Sequence, residues 1–142
     1  MASIGEQVRR NTVALISLVV AITSLGYNTW RNEASEGNRN IRVAGMETIQ
    51  ELAGLQQVVF FARFQPEDFR GDARVGWVHV LAVQDYAAVM PDQVMIAADG
   101  LVATWQSNFA ALAEQDEQAY ADIDRQIDAV KAATLAALAE LN

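Results

Sequence analysis

The chain opens on an uncharged run of apolar residues. Val13 to Leu25 reads VALISLVVAITSL, with Ser17, Thr23 and Ser24 as its polar side chains. Val13, Leu15, Ile16, Leu18, Val19, Val20, Ile22 and Leu25 supply the apolar surface. Extended from Asn11 to Trp30, the stretch reaches about 20 residues, the length a bilayer core requires of a helix. Arg9 and Arg10 bound one end, and Tyr27, Trp30 and Arg31 bound the other. Aromatic rings of this kind settle at a membrane boundary. The hydroxyls can bond back to carbonyls of their own helix, so they cost little in lipid.

The pattern predicts an uncleaved transmembrane anchor within residues 1–30. Two other readings compete with it. One is a signal peptide with Ser24-Leu25-Gly26 as the cleavage site; the other is a buried helix of a soluble protein. The anchor is preferred because Tyr27, Trp30, Ala34, Gly37, Ile41 and Ala44 carry a three-four spacing onward. A cleaved peptide has no reason to share a stripe with the mature chain.

Residues 31–40 are polar and read as a helical neck. From there Ile41, Gly45, Ile49, Leu52, Leu55, Val59 and Ala62 follow the helical period. The first helix is therefore expected from near residue 8 to near Phe64. Gln65 to Asp72, QPEDFRGD, is a loop: proline restricts its predecessor, and Asp72 is placed to cap the next helix. Its Arg70-Gly71-Asp72 triplet, elsewhere an integrin mark, is common by chance.

Ala73 to Met90 is the ambiguous element. Gly76 to Val83, GWVHVLAV, has the β-branched and aromatic character of a strand. Helix is preferred, with Val75, Val78, Ala82 and Val89 on one face, because a lone strand would leave its backbone unpaired. After Pro91 and Asp92, the residues Val94, Ala98, Leu101, Trp105, Phe109 and Leu112 cover 18 residues in five steps, a helical face. Glu114 to Glu117 is an acidic break suited to a helix N-terminus. Tyr120, Ile123, Ile127, Val130, Thr134, Ala137 and Leu141 then alternate by three and four, a packing seam. Leu135 and Leu138 lie off that seam, so this end should meet more than one neighbour.

The expected fold is all-α. An N-terminal transmembrane helix continues into a long helix, which packs with two or three further helices as an antiparallel bundle. The expected divisions are an anchor at 1–30, a neck at 31–40 and an acidic bundle at 41–142.

Charge narrows the partners. The net charge is −8. From Asp85 onward ten acids face only Arg125 and Lys131. Phosphate recognition needs clustered Lys and Arg, so nucleic acid is not an expected partner. Membrane lipid is expected, together with a protein partner or a second copy bound through helical faces.

Chemistry is sparse. The chain has no cysteine and one histidine, His79, where a zinc site needs several nitrogen or sulfur ligands. His79 reads as a half-buried structural residue. No G-x-S-x-G or phosphate-cradling glycine loop occurs. Asp124 and Asp128 lie one turn apart near Asp122, but without EF-hand or di-iron spacing they read as a solvated face. Arg125 would partly neutralise them. Gly45 and Gly54 fall inside the long helix, where close helix contact or chance would account for each. No enzyme and no cofactor is expected.

Ser24-Leu25-Gly26-Tyr27-Asn28-Thr29-Trp30-Arg31-Asn32-Glu33, followed by Arg39 to Arg42, resembles small uncharacterised single-pass membrane proteins of proteobacteria. The likeness is strongest over residues 9–60. It implies a bacterial inner-membrane location and transfers no activity. The anchor-plus-bundle plan is also similar to the sensing part of chemoreceptors, which carry a second membrane helix after the bundle; residues 131–142 are too short and amphipathic for one.

The expected function is an interaction or scaffold module, such as an accessory subunit of a membrane complex. Two alternatives stand beside it. One is a sensor domain holding a ligand near Trp77, Trp105 and Tyr86; the other is a spanin-like coiled-coil protein. The positive-inside rule does not decide orientation, because arginines flank both ends of the anchor. A short N-terminal tail inside and a periplasmic acidic domain is the commoner arrangement.

Overall fold

The computed structural model describes residues 11–141, apart from the side chain of Ala34. Arg9, Arg10 and the expected helix start near residue 8 lie outside the described residues. Four α-helices follow in order: α1 at Thr12–Phe64, α2 at Ala73–Ala87, α3 at Asp92–Leu112 and α4 at Glu117–Ala139. A 3₁₀ turn at Phe69–Gly71 sits between α1 and α2. No strand occurs among the described residues, and Gly76 to Val83 is helical. The chain divides into two units, one ending at Gly37 and the other starting at Asn38.

In the first unit the described residues are a helical segment of α1. In the second, the remainder of α1 packs with α2, α3 and α4. Neighbouring helices run antiparallel, as the contacts along them show. Gly54 meets His79, while Gly71 meets Ala62. Gly76 meets Trp105, while Gln84 bonds Asp99. Gly100 meets Gln126, and Tyr120 reaches back to the carbonyl of Leu112. α4 closes onto α1 through Leu138 against Gly45 and Glu117 against Arg63.

Local chemistry sets the helix ends. Asp68, Asp72 and Asp116 accept hydrogen bonds from the first free N–H groups of the elements they precede, the usual role of an N-cap aspartate. α3 starts after Pro91 without a side-chain cap; proline's fixed φ suits such an entry. After α3, Gln115 adopts φ 59°, a left-handed position normally given to glycine.

The core is one cluster. Leu52, Leu55, Val80, Val83, Leu101 and Trp105 lie fully buried within it, as do Tyr120, Ile123, Ile127 and Val130. Two buried hydroxyls, Thr48 and Thr134, donate to the carbonyls one turn back, Ala44 and Val130, each at 2.8 Å. Neither polar group is thus left unpaired in the apolar interior.

The face expected for α2 is not the one buried. Val75, Val78 and Val89 are exposed, and the core takes Gly76, Val80, Val83 and Ala87 instead. α2 is apolar nearly all round, so hydrophobicity alone does not choose a side. Gly76 does, because it alone lets the Trp105 indole lie against the helix backbone. The helix also ends at Ala87 rather than Met90.

Candidate membrane anchor and exposed helix faces

The ten anchor residues named from sequence are all exposed, from 46% at Leu15 to 78% at Val13. Nothing among the described residues of their own unit covers them. Three hydroxyls along the same segment are satisfied within the helix. Ser17 donates to Val13 O at 2.8 Å, Thr23 to Val19 O at 2.8 Å and Thr29 to Leu25 O at 3.0 Å. A helix with internal hydrogen bonds and apolar side chains outward meets the demand a bilayer makes. Tyr27 and Trp30 stand side by side, with ring centroids 6.1 Å apart. By length and composition, α1 contains a segment able to cross a membrane.

Within the bundle, Tyr120, Ile123, Ile127 and Val130 are buried, along with Thr134 and Ala137. Leu141 lies beyond the end of α4, half-buried, with its N–H 3.4 Å from Leu138 O. Leu138 turns to Gly45, whereas Leu135 stays exposed.

The polar groups serve the fold. His79 Nδ1 and Glu51 Oε2 are 2.7 Å apart, joining α2 to α1 where Gly54 leaves room for the imidazole. Arg63 pairs with Glu117 and lies over the Tyr120 ring, 5.4 Å from its centroid. Burial raises the Tyr120 hydroxyl above its ordinary pKa, Glu117 adds to the shift and Arg63 opposes it. Asp124 is also raised, first by partial desolvation; Arg63 opposes this and Asp128 adds to it. Arg125 bonds Asp122 at 2.9 Å rather than either of these. No group of three metal-ligating side chains is found among the described residues.

The Arg70-Gly71-Asp72 triplet is tied into the loop. Arg70 bonds Asp68 and stacks on Phe61, 3.8 Å from the ring centroid. Asp72 caps α2 and bonds Arg74. A groove of about 470 Å³ opens here, lined by Pro66, Phe69, Asp72, Arg74, Phe109 and Leu112 among others. Trp77, Trp105 and Tyr86 do not line it. Trp105 is fully buried, with its Nε1 unpaired, and Trp77 stacks edge-on against Phe109 at 5.8 Å.

One feature of the bundle is not among the faces expected from sequence. The side of α1 turned from the core carries Val43, Met46, Gln50, Ala53, Gln57, Phe60 and Phe64, all exposed. Their spacing alternates by three and four throughout. The signal is present in the chain, but the buried stripe on the same helix has the same period and is more apolar. No protein-family model, no curated protein and no solved structure matches the chain.

Proposed function

We propose that the chain is a membrane-anchored helical interaction module, with residues 12–30 in the bilayer of a bacterial inner membrane and the acidic bundle on the periplasmic side. The carrying observation is the uncharged surface of Val13 to Leu25, exposed throughout, with Ser17 and Thr23 bonded back to its own carbonyls. Such a surface is stable in lipid and costly in water. The bundle's share of the reading is binding rather than catalysis. Asp68, Asp72 and Asp116 are engaged as helix caps and His79–Glu51 and Arg63–Glu117 as inter-helix pairs, while Phe60, Phe64, Val78 and Ile96 stand exposed. Packing of Trp105 against Gly76 favours protein contact over a ligand held between the helices.

Fractionation of cells expressing the full chain tests the anchor. The protein should stay with membranes through an alkaline carbonate wash. Leu18→Arg with Ile22→Arg should release it, since each arginine near a span's centre costs about 2.5–3.5 kcal/mol. A wild-type chain found in the soluble fraction overturns the reading. Protease added to the periplasmic face of spheroplasts should digest the bundle; digestion only from the cytoplasmic face would reverse the orientation.

A further inference from the structure

We infer that the outer face of α1 between Val43 and Phe64 is a parallel, in-register interface for a second copy of this chain. The inference deepens the interaction reading by naming the partner.

The face has the form of a coiled-coil seam. Three heptads of alternating three-four steps span about 33 Å at 1.5 Å per residue. None of the seven seam positions carries a charge, although the chain's net charge is −8. The acidic excess lies elsewhere: ten acids against two bases from Asp85 onward, on and around α3 and α4. Two copies meeting through those helices would repel. Through α1 they would not.

The polar positions argue for an identical partner. In a parallel register each seam residue faces its own copy, so Gln50 meets Gln50 and Gln57 meets Gln57. A carboxamide both donates and accepts, so two of them satisfy each other. Polar residues at such positions fix register and direction. The flanking charges agree. With Val43 and Met46 as seam positions, Arg42 precedes the first and Glu47 follows the second. These are the flanking sites that meet across a parallel pair, five residues apart, and their charges are opposite. Arg42 is exposed and Glu47 partly so. At the far end, Phe60 and Phe64 lie 5.1 Å apart between ring centroids. Together they present an apolar pair to the partner's equivalent.

The absence of cysteine from the chain makes the test direct. Single variants Gln50→Cys and Gln57→Cys are made in the full chain, and native membranes are treated with a mild oxidant. Facing positions in a parallel register fall within disulfide reach, so each should give at least about fivefold more dimer than the exposed control Gln93→Cys on α3. Arg42→Glu in the Gln57→Cys background should lower that yield, and adding Glu47→Arg should restore it. Restoration separates a specific pair from random collision, and circular dichroism of each variant confirms that the bundle is intact. Yields equal to the control overturn the proposal. So does a dimer that forms only when the Gln50→Cys and Gln57→Cys chains are co-expressed, which marks an antiparallel pair, or a product with the mass of another protein. Carbonate extraction of the same membranes reports the anchor separately, so loss of anchoring and loss of pairing are distinguishable.

Discussion

Gly76 on α2 lies against the indole of Trp105 on α3 so closely that a Cβ at position 76 would overlap the ring. The contact sets which side of α2 faces inward. It also predicts an inverted result for a substitution that normally favours helix. Gly76→Ala adds about 1 kcal/mol of helix propensity, yet it must displace a rigid, fully buried ring, at a cost of about 1–3 kcal/mol. The variant should be less stable in chemical denaturation. Gly100→Ala is the comparison, because its nearest neighbour is the flexible end of Gln126 at 3.1 Å. It should be neutral or stabilising by up to about 1 kcal/mol.

Ile127 tests the α4 seam. It is fully buried, and Asp128 beside it is exposed. Ile127→Asp places a carboxylate without a partner in the core and should cost about 3–5 kcal/mol. That is comparable with the whole stability of a small domain. Asp128→Ala should change stability by less than about 0.5 kcal/mol. Equal, wild-type melting of both variants would mean that α4 buries nothing.

Gln115 is the described non-glycine residue with positive φ, at 59°. A side chain in that region is crowded by the following carbonyl, at about 1–2 kcal/mol. Gln115→Gly removes the crowding but gives the unfolded chain more freedom. A gain of up to about 1 kcal/mol is expected in thermal or denaturant melts. A loss would show that the Gln115 side chain makes a contact that matters.

The loop before α2 should resist acid. Side-chain and backbone hydrogen bonds from Arg70 lower Asp68 to about 2, and those from Arg74 do the same for Asp72. Both carboxyls are depressed in the folded state. Their contribution to stability is therefore present above the unfolded value, about 3.9, and is lost as pH falls through about 2. Carboxyl-carbon NMR titration should find both midpoints well below those of the other exposed aspartates. Asp72→Asn keeps an acceptor for the cap, and it should abolish this acid dependence at that site while leaving α2 formed.

Much of this architecture is written in one dimension. The helical period of Val94 to Leu112 and of Tyr120 to Ala137 marks the faces that α3 and α4 bury, because on each helix the large apolar residues at that period form one continuous stripe. The end of α1 at Phe64, the loop at Pro66 and the caps at Asp72 and Asp116 follow from backbone chemistry that acts within a few residues. The uncharged run from Val13 to Leu25 is equally local, since length and polarity alone make it suited to lipid.

The tertiary structure decided what periodicity leaves degenerate. α2 is apolar on nearly every side, and only the meeting of Gly76 with Trp105 turns Val80 and Val83 inward in place of Val75 and Val78. The reasons for Gly45 and Gly54 likewise lie on other helices, in Leu138 and His79. On α1 two stripes share one period, one led by Leu52 and Leu55 and the other by Phe60 and Phe64. Which of them becomes core depends on how three other helices fill the space around it. That choice is made by packing across long separations in sequence, where no pattern within a single helix can register it.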